Sequence, residues 1–307
     1  MKIIQEKSLP LNEETVCTIG SFDGFHIGHR KILEKVKRKA KETGRKSIVI
    51  TFEPHPKRFF NPEKAPCVIT DIETKKELLE REDIDYLYII KFDENFYKLS
   101  AKDFLKFLTQ KLKCKNIIVG YDWQFGYKKE GNVYFAERFE REMGFQIEIV
   151  EPILQDDIRV SSTLIREFLK KGDIEKASYF LGRSYCIKGK VIRGNQIGKK
   201  IGFPTINVKA PEDLCLRKGV YAGYVEIKGE TFPAVINFGY RPTVDGKSLL
   251  IEAHIIDRVN IELEDNWIKI IFSKFIRDEK KFDSLENLQR QIAEDIKKAK
   301  QILEVKV

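Results

Sequence analysis

Val16-Cys17-Thr18-Ile19-Gly20-Ser21-Phe22-Asp23-Gly24-Phe25-His26-Ile27-Gly28-His29 holds a β-branched run, a glycine-bounded loop and the first turn of an amphipathic pattern. Val16–Ile19 predicts a strand, and Ile27–Lys41 a helix with Ile32, Leu33 and Val36 on one face. The rhythm continues outward. Strands are predicted at Ser47–Phe52, Tyr86–Ile90, Asn116–Val119 and Gln146–Val150, and helices at Thr74–Glu80, Phe104–Leu112 and Val133–Met143. Alternation of this kind implies an α/β domain, a doubly wound parallel sheet flanked by helices. Ligands of such sheets sit at the carboxyl ends of the strands. Helical segments Ser162–Lys170 and Ile174–Leu181 close the domain near Gly182, giving expected domains of 1–182 and 183–307.

Beyond Tyr185 the pattern changes to short strands at Cys186–Val191, Thr205–Val208, Tyr221–Ile227, Phe232–Phe238, Leu249–Ile256 and Ile268–Phe275. Turn signals separate them at Arg193-Gly194-Asn195, Lys228-Gly229-Glu230 and Asp245-Gly246-Lys247. A small antiparallel β-barrel is expected. Leu285, Leu288, Ile292, Ile296, Ala299 and Leu303 then mark a terminal amphipathic helix, with Asp283 and Glu286 as a capping box.

The 307 residues suit about two domains, and 42% hydrophobic with 34% charged residues can build and cover two interiors. No apolar run reaches the ~18 residues of a membrane span. The polar opening Met1–Lys7 lacks a signal-peptide core, so a cytoplasmic location is expected. Five scattered cysteines without C-x-x-C spacing argue against a zinc site and a disulfide framework, leaving reduced, buried thiols. The net charge of +9 attracts anions without choosing among them.

Two of the four histidines, His26 and His29, stand three apart at a predicted helix start, which puts both imidazoles on one side of the first turn. Free N–H groups and the helix dipole point there too, and Gly28 leaves room for a phosphate. The loop is therefore read as a triphosphate site, although it has no G-x-x-x-x-G-K-[ST] sequence. The less favoured alternative for the histidines alone is an exposed pair on an ordinary helix. Ser161-Ser162-Thr163-Leu164-Ile165-Arg166 adds hydroxyls and a guanidinium at another helix start, where N-capping is the ordinary use.

In the second half, Gly189, Gly194, Lys199 and Gly202 lie in a glycine-rich basic approach to Pro204-Thr205-Ile206-Asn207. Thr205 and Asn207 are two apart on a predicted strand, so they share a face, and their oxygens are hard ligands suited to Mg²⁺ carried by a nucleotide. Glu252 and His254 sit two apart within the apolar run Leu249–Ile256. Surface-facing alternation explains the pair, but a half-buried Glu252 would accept a proton from a substrate hydroxyl.

Four segments in order, G-S-F-D-G-F-H-I-G-H, T-F-E-P-H-P (Thr51–Pro56), G-Y-D-W-Q-F-G (Gly120–Gly126) and S-S-T-L-I-R, closely resemble the adenylyltransferase module of the bifunctional riboflavin kinase/FMN adenylyltransferase family. The resemblance covers roughly the first 180 residues. It implies a nucleotidyltransferase domain in which Gly20, Phe22, Asp23, His26, His29 and Asp122 line the ATP. Ser162, Thr163 and Arg166 would hold the leaving pyrophosphate. Trp123 stands where the family usually has phenylalanine, a change expected to keep the packing. His55, between two prolines, reads as shaping its loop.

From Tyr185 onward, G-x-V-x-x-G, G-F-P-T-x-N, N-x-G-x-R-P-T, E-x-H and R-x-E-x-x-F are similar to the riboflavin kinase module. That similarity implies Mg²⁺-ATP on Thr205 and Asn207, Glu252 as base for the ribityl 5′-hydroxyl, and Arg277 and Phe282 beside the flavin. Ile206 replaces a common alanine, and strand alternation turns it away from the metal. The implied partners are riboflavin, FMN, FAD and ATP, with neither nucleic acid nor membrane. Three other readings compete. A class I aminoacyl-tRNA synthetase lacks its K-M-S-K-S loop here. A nucleotidyltransferase joined to an RNA-binding barrel predicts salt-dependent RNA binding and no riboflavin phosphorylation, and a catalytically dead flavin regulator would not need the intact His26, His29, Thr205, Asn207 and Glu252.

Overall fold

The apolar runs of the first half become six strands: β1 (Lys2–Ile4), β2 (Thr15–Ile19), β3 (Lys46–Glu53), β4 (Tyr86–Lys91), β5 (Cys114–Gly120) and β6 (Gln146–Val150). The computed structural model describes residues 1–192, 198, 201–211, 213–243, 246–257 and 267–304. All neighbouring pairs of this sheet are parallel, in the order β1-β4-β3-β2-β5-β6. Every residue of β2 is buried. A central strand covered on both faces has no polar side to show, which is why Thr15–Ile19 reads as an unbroken run.

Alternate residues of the central strands feed different cores. Cys17, Ile19, Ile48, Ile50 and Ile117 join one cluster with Phe104, Leu105 and Leu108. Val16 and Ile118 join another, against Val36 and Ala40 of α1 (Ile27–Thr43). Strand β1 gave no sequence signal because it is three residues long. The predicted helix Val133–Met143 is two short helices, Val133–Glu137 and Glu140–Met143.

Contacts along the chain group Met1–Pro66 with Lys75–Val160, and Cys67–Thr74 with Ser161–Val307. The second unit opens with α2 (Ser162–Lys171) and α3 (Ile174–Leu181). A closed barrel follows, built from β7 (Tyr185–Ile192), β8 (Ile206–Lys209), β9 (Gly219–Ile227), β10 (Glu230–Thr243), β11 (Gly246–Ile255) and β12 (Trp267–Arg277). The strand order is β7-β8-β11-β10-β9-β12, and every pairing is antiparallel. Closure removes the free edges that short strands would otherwise expose.

Helix α4 (Leu285–Ile302) lays Ile296, Ala299 and Ile302 on the outside of the barrel against Val220, Ala222, Val235 and Ile256. Its N-cap is Ser284, whose hydroxyl accepts the Asn287 N–H at 3.2 Å, so the expected cap at Asp283 is shifted by one residue. The Arg277 guanidinium locks the helix in place. Its Nη2 donates to Asp295 Oδ2 at 2.6 Å and its Nε to Oδ1 at 3.0 Å, and the Asp295 side chain is 2% exposed.

Cys17, Cys114 and Cys186 are buried free thiols, as expected. The expectation of reduced thiols throughout is corrected at Cys67 and Cys215, which form a disulfide with Cα atoms 4.8 Å apart. These cysteines lie 148 residues apart in sequence, so spacing carries no sign of the pair. Among the described residues no helix is long and apolar enough to cross a membrane.

Candidate active sites

Because the sheet is parallel, the loops after β2, β3 and β5 all leave from its carboxyl edge, the ligand edge of such folds. The loop after β2 is the histidine loop. It is held by Phe22 and Phe25, both buried beside Leu33, Val49 and Leu87. Their φ angles are +46° and +47°, a left-handed backbone that costs a non-glycine residue about 1–3 kcal/mol and is retained where surrounding packing enforces it. The two rings pin the loop so that the chain arrives at α1 with His26 as its N-cap.

His26 Nδ1 accepts the His29 N–H at 3.3 Å, and the two imidazoles stack with centroids 3.7 Å apart. A Cβ on Gly28 would press on the His26 ring at 3.1 Å, so glycine there serves the imidazole packing as well as any incoming phosphate. His29 Nδ1 is buried, with no hydrogen-bond partner among the described residues. Burial, followed by the neighbouring His26 and Lys75, holds His29 well below the ordinary histidine range, so it is neutral near pH 7. Lys75 Nζ, itself buried, donates to the Ser21 carbonyl at 2.7 Å. Lysine 75 brings a cation to the loop, and sequence reading missed it because nothing marks it among the charges of its helix.

Gly20 stands at the mouth of the loop, and Asp23 is buried within it. His55 caps the short helix Pro56–Phe60, accepting the Lys57 N–H at 3.2 Å, which fits a loop-shaping residue. Asp122, after β5, is exposed and pairs with Arg159 at 3.1 Å. Trp123 stacks on Phe125 with centroids 4.1 Å apart, so the packing expected of an aromatic is kept. A shelf of rings lies beyond β3 and β4. Phe59 and Phe60 contact Phe92, and Phe60 also meets Tyr97 at 4.7 Å while remaining 54% exposed. The doublet Phe59-Phe60 after H-P was the available signal for it.

In the second unit Ser161, not Ser162, caps α2, accepting the Leu164 N–H at 3.2 Å. Ser162 and Thr163 therefore occupy the first turn without serving as the cap, and Thr163 is exposed. Arg166 Nε donates to the Cys67 carbonyl at 2.8 Å. The histidines belong to the first unit and these three residues to the second.

The barrel brings the Thr205–Asn207 and Glu252–His254 segments into register. Asn207 of β8 pairs with Glu252 of β11, which pairs with Asn237 of β10. Asn237 in turn pairs with Val220 of β9, which pairs with Arg277 of β12. Residues opposite each other in a ladder project to one face. Their strand neighbours Val208, Ile251, Phe238 and Ala253 fill the interior, so the row Asn207–Glu252–Asn237 lies on the outer face, ending at Arg277. Continuing the β8–β11 register by one residue brings Thr205 level with His254, so the T-x-N and E-x-H motifs are opposite sides of one ladder. Asn207 Nδ2 donates to the Thr205 carbonyl at 3.4 Å.

Gly198 permits the approach to Thr205, since a Cβ there would collide with the Phe203 carbonyl. Gly202 turns with φ +85°. Gly189 is buried within β7, where a Cβ would strike Val208. Gly194 and Lys199 lie outside the described residues, as do the side chains of Arg241, Pro242 and Thr243. Arg277 stacks its guanidinium 5.9 Å from the Phe282 ring while its Nη1 donates to the Asp278 carbonyl at 2.9 Å. Glu279 is the glutamate of the R-x-E-x-x-F segment. Its carboxylate packs so closely on Gly239 that a Cβ there would collide with it. Partial desolvation raises its pKa, with Lys218 opposing the rise and the Glu252 charge adding to it.

A histidine-bearing parallel α/β unit, followed by a closed barrel with Asn207, Glu252 and Asn237 in one row, defines a two-module transferase. Residues 8–164 match the family model for FAD synthetase, and residues 181–303 that for riboflavin kinase. The chain belongs to the bifunctional riboflavin kinase/FMN adenylyltransferase family. A member from Buchnera aphidicola subsp. Acyrthosiphon pisum (strain APS) is 34% identical over 96% of both chains. One from Escherichia coli (strain K12) is 36% identical over 92% of this chain and 91% of its own. A crystal structure described as a macrolide-efflux protein from Streptococcus pneumoniae superposes with a TM-score of 0.80 at 28% identity, covering 97% of this chain and 98% of that one.

Proposed function

We propose that residues 183–307 phosphorylate riboflavin to FMN, that residues 1–182 adenylylate FMN to FAD, and that the residues described above carry both steps. In the kinase step the ribityl 5′-oxygen attacks the γ-phosphorus of ATP, the bond to the β–γ bridging oxygen breaks, and Glu252 takes the hydroxyl proton. The observation that carries this reading is the register pair Asn207–Glu252, which sets a hard oxygen ligand beside a half-buried carboxylate on one face. A neutral hydroxyl and amide suit Mg²⁺ whose charge is already met by phosphates. Thr205 and Asn207 would hold that ion, which when bound supplies neutralisation of the developing phosphate charge. Gly189, Gly194, Lys199, Gly202 and Pro204 shape the nucleotide approach. Arg277 and Phe282 take the flavin side, with Arg277 kept rigid by Asp295.

In the adenylyl step an FMN phosphate oxygen attacks the α-phosphorus of ATP, and the α–β bond breaks to release pyrophosphate. Positioning and charge neutralisation carry such transfers without a protein nucleophile. His26 and His29 take the phosphates, and Ser162, Thr163 and Arg166 take the departing pyrophosphate. Gly20, Phe22 and Asp23 form the loop, and Asp122 lies on the same strand edge. The exposed ring of Phe60, set edge to face against Phe59 and Tyr97, offers an apolar contact for the isoalloxazine. Both steps draw on ATP, and the enzyme works in the cytoplasm without nucleic acid or membrane.

Incubating the protein with riboflavin, ATP and MgCl₂ and separating the flavins over time tests the whole reading. FMN rises first and FAD follows. Riboflavin left unchanged would overturn it.

A further inference from the structure

His254 has no part in the chemistry above, yet its ring makes a 2.8 Å polar contact with the turn that carries Thr205. The residues Phe203-Pro204-Thr205 precede β8 and lie outside any strand, so the barrel ladder does not fix them. Two contacts do. The Phe203 N–H donates to the Gly198 carbonyl at 2.7 Å, and the His254 ring reaches the Pro204 carbonyl through Nδ1 at 2.8 Å. A carbonyl only accepts, so Nδ1 is the protonated nitrogen. The Phe203 ring then meets the same imidazole edge to face, with centroids 5.6 Å apart. His254 stands on β11 two residues from Glu252 and on the same face.

We propose that His254 is a positioning residue of the kinase site. By holding the Pro204 carbonyl it fixes the neighbouring Thr205 hydroxyl in the place where the metal–nucleotide complex is taken up, and it does so from the strand that carries the base. One side of the ladder thus sets both the proton acceptor and the geometry of the ligand opposite. The inference rests on the reading of Thr205 and Asn207 as the Mg²⁺-ATP ligands.

The test uses the full chain with three substitutions. His254→Leu keeps bulk against Phe203 but removes the donor. His254→Asn restores an N–H near the position of Nδ1. Thr205→Ala removes the hydroxyl itself. In His254→Leu the KM for Mg²⁺-ATP in riboflavin phosphorylation rises about five- to tenfold, the loss expected of one hydrogen bond. The KM for riboflavin and the conversion of supplied FMN to FAD stay at wild-type values. The Mg²⁺ concentration needed for half-maximal rate rises in parallel, and His254→Asn returns both to within about twofold of wild type, less than half a hydrogen bond's worth. An unchanged KM for Mg²⁺-ATP in His254→Leu, with Thr205→Ala impaired, would overturn the role of His254 alone. Failure of His254→Asn to rescue would do the same. A Thr205→Ala enzyme with normal Mg²⁺-ATP dependence would instead overturn the ligand reading beneath it.

Discussion

The barrel site and the histidine site reach a similar end by opposite means. On the barrel, Asn207, Glu252 and Asn237 are neighbours because three regular strands are in register, and Thr205 and His254 follow from the same ladder. At the histidine loop regular structure does little. Two buried phenylalanines in left-handed conformations set the path, and a capping imidazole stacked on its neighbour sets the helix start. Periodicity converts spacing into geometry, whereas a loop needs its packing partners before its geometry exists. Substitutions should therefore act locally on the barrel face and more broadly in the loop.

The largest expected effect separates the two regions most sharply. Glu252→Gln should lower riboflavin phosphorylation by about 10²–10⁴-fold, the usual worth of a positioned base. Supplied FMN should still become FAD at the wild-type rate in a coupled pyrophosphate assay. His29→Ala should lower FAD formation from FMN by about 10²–10³-fold, as for loss of an electrostatic stabiliser at a reacting phosphate, and leave FMN formation intact. Equal losses in both steps for either variant would erase the contrast.

Asp295→Ala probes the scaffold behind the barrel site. It strands the Arg277 guanidinium, whose side chain is only 14% exposed, and should cost about 3–5 kcal/mol in urea unfolding. A smaller contrast concerns pH. The folded chain binds a proton at His29 less readily than the unfolded chain does, so the stability this neutral ring contributes is complete above the unfolded value near 6.5. It is lost as pH falls below that value, by about 1 kcal/mol per pH unit. Between pH 6.5 and 5.5, His29→Asn should lose less stability than the wild type in parallel melts.

Much of this was legible in the chain, for identifiable reasons. Strand β6 and helix α3 coincide with their predicted limits because apolar spacing and bounding glycines define them. The Thr205–Asn207 face and the Glu252–His254 face followed from alternation, but their meeting across β8 and β11 did not, since register is a long-range property. Lys75 was hidden because a charged residue in a charged segment looks solvated until burial is seen. The cap at Ser284 rather than Asp283 reflects the ordinary one-residue uncertainty of helix starts. The Cys67–Cys215 disulfide joins segments whose proximity only the tertiary fold creates.

Complementation in one vessel tests most directly that two separable centres act in sequence on a flavin. Given riboflavin, ATP and Mg²⁺, Glu252→Gln alone should leave riboflavin unconverted, and His29→Ala alone should stop at FMN. Mixed, the two proteins should yield FAD. FAD from either variant alone at the wild-type rate, or none from the mixture, would contradict the account.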